Sequence, residues 1–272
     1  MVREQSNDPR RPALVVTGGN LLFEREQLTP SSAGAAKIAA NGVLQAIQKM
    51  GATFAGVGVR DLAAGSAFLK ASHQPPTFSW ISLNLVDPTT RKPLFAPMIR
   101  CQVGAIRIAV LALTDHTALA NDSREFQAVD WRTALPPVLV KAEQEADFIL
   151  LLSNYPYSEN LKIAWAHGSI GLILQTGHVT GNMQPIPVNR SLLAQTDIRG
   201  KYVGILDIDW QGRNAWSEVG QPLQGKEKKQ PVSTYANRFV ALHQSLPAAP
   251  EIEALVQQTQ RQIERLQQPR TP

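Results

Sequence analysis

The chain has 272 residues, 27 Lys and Arg against 22 Asp and Glu, a formal net charge of +5 and 43% hydrophobic residues. That apolar share fills a core and excludes an intrinsically disordered chain. The lone cysteine, Cys101, excludes a disulfide scaffold and a cysteine-only metal site within one chain. The longest apolar runs, such as residues 108–113, fall far short of the roughly 20 residues that a membrane-spanning helix needs.

The basic residues are scattered apart from Arg10-Arg11 and Lys226-Glu227-Lys228-Lys229, which read as solvated charge runs. No clustered basic face with stacking aromatics invites nucleic acid. Residues 1–12 form a polar tail without the apolar segment of an export signal. Two readings stay open: a cytoplasmic protein, or a periplasmic or exported one whose signal has been removed.

Leu14-Val15-Val16, ended by Gly18-Gly19, predicts a buried strand that delivers a loop. Thr29-Pro30-Ser31-Ser32 supplies helix-start chemistry. Ala35, Ile38, Ala39, Val43, Leu44, Ile47 and Met50 then recur at helical spacing until Gly51. Residues 54–59 predict a strand turning at Arg60-Asp61, residues 63–70 a helix, and residues 78–86 a strand. Residues 95–101 and 106–113 flank Val103-Gly104-Ala105 as a hairpin. A helix is expected over 136–145, a very apolar strand over 148–152, a short helix over 160–166 and a strand over 170–174. The last sheet material is expected at 186–188, 202–208 and 214–219, and residues 222–231 as an exposed loop. Ile252, Leu255, Val256, Ile263 and Leu266 mark an amphipathic C-terminal helix that docks on its own domain or meets a partner.

Strands alternate with helices in the first two thirds, and hairpins dominate the last third. The expected organisation is a tail (1–12), one layered α/β domain (13–220), a loop and packing segment (221–249) and the helix (250–272).

No GxGxxG, GxxxxGK[ST], HExxH or GxSxG signature occurs, and the five histidines never stand at a metal-pair spacing. One pattern recurs: apolar runs deliver loops of small polar residues. These are Thr17-Gly18-Gly19-Asn20, Gly58-Val59-Arg60-Asp61, Leu152-Ser153-Asn154 and Gly177-His178-Val179-Thr180. In α/β sheets, ligands sit at the carboxyl ends of strands, so four such loops on one rim define a site.

In order and context these segments resemble the calcineurin-like metallophosphoesterases, in particular the N-terminal domain of bacterial 5′-nucleotidases and UDP-sugar hydrolases. The resemblance runs from about Ala13 to Val219. Leu14 to Phe23 is similar to the family's strand ending in Asp-Ala-Gly-Asp. Met50-Gly51-Ala52 through Gly58 resembles the approach to Gly-Asn-His-Glu, and Asp61 to Gly65 with Phe68-Leu69 resembles the segment on the far side of that motif. Ser82 to Asp87 resembles the Ala-Asn-Leu strand, and Gly104 to Thr114 the strand pair after it. Ala146 to Ser153 resembles the strand ending in Leu-Ser-His, Ile170 to His178 the Gly-His-x-His strand, and Arg199 to Gly204 the closing hairpin. The resemblance implies a four-layer α/β/β/α sandwich of metallophosphoesterase type. It also implies a site that in the family holds two metal ions and activates water against a phosphate ester.

At the family's ligand positions this chain departs. The family's Asp-x-His strand would precede Ala13. The next Asp position is Asn20, the Asn-His pair is Val59-Arg60, the Leu-Ser-His histidine is Asn154, and the second histidine of Gly-His-x-His is Thr180; His178 alone keeps its type. Val59 offers no lone pair, Arg60 adds positive charge, and Asn20 cannot bridge two dications as a carboxylate does. No standard two-metal site and no catalytic residue is expected. A single weakly bound divalent metal, with His178 as its candidate ligand beside Asn20 and Asn154, is the one metal reading.

The expected binding rim is Asn20, Arg60, Asp61, Asn84, Asn154 and His178, presented to a small anion or an unknown protein partner. Simpler readings stand beside it: a backbone-bonded His178, an Arg60 salt bridge to Asp61 or another nearby carboxylate, a loop-forming Asn84, turn chemistry at Asp115-His116, a buried Cys101 and packing tryptophans. The functional expectation is a degenerate metallophosphoesterase-like domain acting as a binding or assembly module. The alternative is a phosphoesterase with a rebuilt or single-metal site, and a third reading is an unrelated α/β domain.

Overall fold

The computed structural model describes residues 11–75, 77–119, 123–177, 181–220, 231–243 and 245–268. Its centre is a pair of parallel strands, β5 (Ile106–Leu113) and β7 (Phe148–Ser153). Their side chains alternate between two buried faces. Ala109, Leu111, Leu113, Ile149 and Leu151 enter one core; Val110, Ala112, Phe148, Leu150 and Leu152 enter another. Such strands read as continuous apolar runs because neither face meets water. Full burial of each Leu or Ile stabilises the fold by about 1.5–3 kcal/mol.

Around this pair lies a six-stranded sheet in the order β4 (Met98–Val103), β5, β7, β8 (Leu172–Gln175), β10 (Ser191–Gln195), β9 (Met183–Val188). Helices α3 (Trp131–Glu145) and α4 (Tyr157–Ala166) cover one face through Trp131, Leu135, Leu139 and Ile163. The other face packs on a second β layer. This layer comprises the parallel pair β1 (Phe54–Gly56) with β2 (Ser79–Ile81), and a three-stranded sheet in the order β11 (Tyr202–Asp209), β13 (Ser233–Ala241), β12 (Trp216–Glu218). Beyond it, α1 (Pro30–Lys49) and α2 (Ser66–Ser72) close a third core around Ala40, Leu44, Ile47, Leu69 and Trp80. Helix α5 (Pro250–Gln267) runs antiparallel along α1, with Leu266 over Gly34 and Thr259 over Gly42. The succession helix, sheet, sheet, helix is the expected four-layer α/β/β/α sandwich. A short antiparallel bridge, β3 (Leu85–Val86) with β6 (Gln127–Ala128), sits at its edge.

Several elements differ from the sequence reading. Residues 14–16 form no strand; only a parallel bridge from Thr17 to Ala55 comes after them, although Leu14 and Val16 still pack between the sheets. The strand expected over 54–59 stops at Gly56, and a 3-10 turn, Val59–Ala64, replaces its end. The strand expected over 78–86 is split by Ser82 and Asn84, whose side chains pair with each other and with Thr114. Helix α3 starts at Trp131, where Asp130 caps the Arg132 N–H at 2.8 Å, and it carries Pro136 and Pro137 inside. A proline reads as a helix start, which is why the sequence suggests a later beginning. Strand β10 was not expected. Residues 233–241, expected within a loop and packing segment, instead form β13, the middle strand of its sheet, paired with the whole of β11. Of the expected loop at 222–231, residues 222–230 lie outside the described residues.

Candidate functional site

The loops singled out in the sequence gather at the carboxyl ends of β1, β7 and β8. Gly19 runs at φ +105° and Asn20 at φ +55°. A Cβ on Gly19 would stand 2.7 Å from the Gly58 nitrogen, so two loops lie backbone on backbone. Asp61 closes this contact. One carboxylate oxygen accepts from the N–H groups of Leu21 (2.7 Å) and Leu22 (3.0 Å), the other from those of Asn20 (2.6 Å) and Gly58 (2.9 Å). Asp61 is fully buried. Burial pushes its carboxyl up from the ordinary value, against the downward pull of these four donors.

Two asparagines complete the stitching. The Asn20 Oδ1 accepts from the Arg60 N–H at 3.0 Å, and the Asn154 Oδ1 from the Val59 N–H at 3.2 Å. The Asn154 amide donates to the Thr176 Oγ1 at 2.6 Å and reaches the Gly18 carbonyl at 3.4 Å; Thr176 donates to that carbonyl at 2.8 Å. A Cβ on Gly177 would lie 1.9 Å from the Asn154 carbonyl oxygen, so only glycine fits there. Asn20, Arg60, Asp61 and Asn154 are thus brought together. The side-chain oxygens of Asn20, Asp61 and Asn154 are spent on the loops themselves.

The Arg60 Nη1 stands 3.5 Å from the Glu24 carbonyl, and Asp61 gives it no ion pair. Asn84 lies below the rim, fully buried. It accepts from the Thr114 N–H at 2.9 Å and donates to the carbonyls of Thr114 and Val129, both at 2.8 Å. Thr114 in turn donates to the Val57 carbonyl at 2.7 Å, so Asn84 steadies the β1 loop at one remove. His178, with Val179 and Thr180, lies outside the described residues. Asp115 accepts from the Thr117 N–H and hydroxyl, which is turn chemistry, and the His116 Nδ1 meets the Tyr155 hydroxyl at 2.7 Å. Cys101 is half-buried, and burial pushes its thiol up. Trp165 departs from the packing expectation: it is 68% exposed.

A chain of buried amides beneath the rim escaped the sequence reading. Ser153 donates to the Asn160 Oδ1 at 2.6 Å. Asn160 donates to the Gln175 Oε1 at 3.0 Å, Gln175 to the Gln195 Oε1 at 2.9 Å, and Gln195 to the Gly181 carbonyl at 2.8 Å. Its signal is faint: polar residues set among apolar neighbours in a helix and three strands. The chain fixes both ends of the loop that contains His178.

A two-metal phosphoesterase centre needs several carboxylate and imidazole donors facing one space. Among the described residues, Asp61 is the only carboxylate that binds these loops, and both its oxygens are taken by backbone N–H groups. Asn20 and Asn154 have each given their amide oxygen to a backbone N–H as well. Among the described residues, no three His, Cys, Asp or Glu side chains converge as a metal site does. The described rim does not fit the family's metal pair.

No protein-family model and no curated protein sequence matches the chain. Solved structures do match. The sulfate thiohydrolase SoxB of Thermus thermophilus superposes with a TM-score of 0.70 at 19% identity, over 97% of this chain and 46% of its own. A 5′-nucleotidase precursor from Thermus thermophilus gives 0.68 at 16%, over 98% of this chain and 53% of its own. The calcineurin-like phosphoesterase YfkN of Bacillus subtilis gives 0.69 at 13%, over 98% and 87%. The chain therefore has the metallophosphoesterase-type α/β fold, and it spans about half the length of the first two of these proteins. No described helix is long and apolar enough to cross a membrane.

Proposed function

We propose that the chain is a non-catalytic, 5′-nucleotidase-like domain that acts as a binding or assembly module. One observation carries the reading: Asp61, Asn20 and Asn154 spend their oxygens on the N–H groups of neighbouring loops. Groups held this way cross-link the rim directly, as bridging metals would in an active relative. Among the described rim residues, the side chain left for a ligand is the half-buried Arg60 guanidinium, which suits a small anion or an acidic partner. A place in the cell envelope belongs to this proposal, supported by the precursor form of the Thermus 5′-nucleotidase.

Metal analysis of the purified protein, joined to a chromogenic phosphate-ester assay with Mn²⁺, Zn²⁺ or Mg²⁺, tests the reading. The expected result is far less than one equivalent of bound metal and no metal-dependent turnover. Two bound equivalents, or turnover abolished by His178→Ala, would overturn it and favour a phosphoesterase with a rebuilt or single-metal site. Fractionation of the producing cell checks the envelope location.

A further inference from the structure

At the opposite edge of the six-stranded sheet, a groove of about 340 Å³ opens between the turns that precede the parallel strands β7, β8 and β10 and the turn that links β11 to β12. Its lining differs from that of the rim. Trp210 provides an aromatic wall, held by Phe148 (ring centroids 5.0 Å apart) and Trp216 (5.8 Å). Both contacts brace the indole where it lines the groove.

Polar groups converge on the same space. Asn214 donates its amide hydrogens to the carbonyls of Gly168 (3.1 Å) and Ser169 (2.9 Å), which leaves its Oδ1 with no partner among the described residues. Arg190 and Arg213 stand at the mouth. The Arg190 stem runs over Gly168, where an added Cβ would lie 3.1 Å from its Cδ. Its guanidinium has no ion pair or hydrogen bond among the described residues. Asp147, the one carboxylate in the lining, is committed elsewhere: Arg107 grips it through Nη2 at 2.6 Å and Nε at 3.1 Å.

We propose that this groove is a binding site for a small, flat aromatic anion, its ring against Trp210 and its carboxylate or phosphate on Arg190. The volume is that of a small-molecule site, at the lower end of the usual ~300–1,000 Å³, and too small for a folded segment. Guanidinium groups pair with planar oxyanions, and an indole face favours a flat ring over a puckered one. The site stands whether or not the rim is catalytic, because it shares no residue with it.

Calorimetric titration at low ionic strength with 2-naphthoate tests this, against cyclohexanecarboxylate and inorganic phosphate. Expected is sub-millimolar binding of 2-naphthoate, weakened about 10-fold by Arg190→Gln and by Trp210→Leu. Cyclohexanecarboxylate, which keeps the charge and loses the flat ring, binds about 5-fold more weakly. Phosphate binding as tight as that of 2-naphthoate would overturn the aromatic half of the proposal. Absence of 2-naphthoate binding, or binding unmoved by both variants, would overturn it altogether, as would loss of binding in Arg60→Ala alone, which would put the probe on the rim. The wild-type melting curve, matched by each variant, shows that the folded proteins are being compared.

Discussion

Asp61 shows how one side chain decides the shape of two loops. Four N–H groups from residues 20, 21, 22 and 58 point at one carboxylate that no water reaches. Replacement by Asn keeps the volume but puts an NH₂ group against two of those donors. Each buried donor left unsatisfied costs about 1–3 kcal/mol, so with two of them Asp61→Asn should cost about 2–6 kcal/mol. Urea unfolding measures this; a loss under about 0.5 kcal/mol, within the usual range of surface substitutions, would show that the carboxylate is not the lock. In the sequence, Asp61 is legible as a loop residue and a rim candidate. Its true task is not, because three of its partners lie 39 to 41 positions away. Nor is the strap from Asn154 through Thr176 to Gly18, which spans up to 158 positions. Residue type marked Asn154 as standing where the resembled family has a histidine; only the fold says what its amide does instead.

Elements were legible where one physical signal was strong. The run Phe148-Ile149-Leu150-Leu151-Leu152 has no polar residue to spare for a solvent face, and it became the fully buried β7. Strand β13 hid because Thr234, Asn237 and Arg238 interrupt its apolar positions: one face packs on the core, and Arg238 faces out to an ion pair with Asp207 at 3.1 Å. Helix α5 was legible from spacing alone, and docking makes its energetics testable. Leu255 is its one buried side chain, and the remaining apolar contacts are partial. Leu255→Ala removes most of the anchor. Amide exchange in Pro250–Gln267 should then speed up by about 10- to 100-fold, equivalent to about 1.4–2.8 kcal/mol of lost docking. The six-stranded sheet should keep its protection. Equal acceleration in β5 and β7 would mean that α5 is part of the same cooperative unit and not a docked layer.

At the scale of the whole molecule, two carboxylates tie neighbouring elements within a layer where charge can be titrated. Glu159 on α4 accepts from Lys162 of the same helix, and from the Trp131 indole and the Arg132 guanidinium of α3, each at 3.0 Å, so it clasps the two helices that cover the sheet. Asp147 joins the start of β7 to Arg107 at the start of β5. The Lys162 contact, with help from Trp131 and Arg132, holds the Glu159 carboxyl down at about 2, against an ordinary 4.5. The Arg107 guanidinium holds Asp147 down at about 2, against 3.8. Both groups are more acidic folded than unfolded. The stability they contribute is therefore complete above the unfolded values and is lost as pH falls from about 4.5 towards 2. Urea midpoints measured from pH 6 down to pH 2.5 should fall steeply below pH 4.5 in the wild-type protein. Glu159→Gln keeps an acceptor for the indole and removes the charge. It should start lower at pH 6 and fall less, so that the two curves draw together at the acid end. Parallel curves would mean that Glu159 carries no proton-linked stability, and that the clasp between α3 and α4 rests on the packing of Trp131, Leu135 and Ile163 alone.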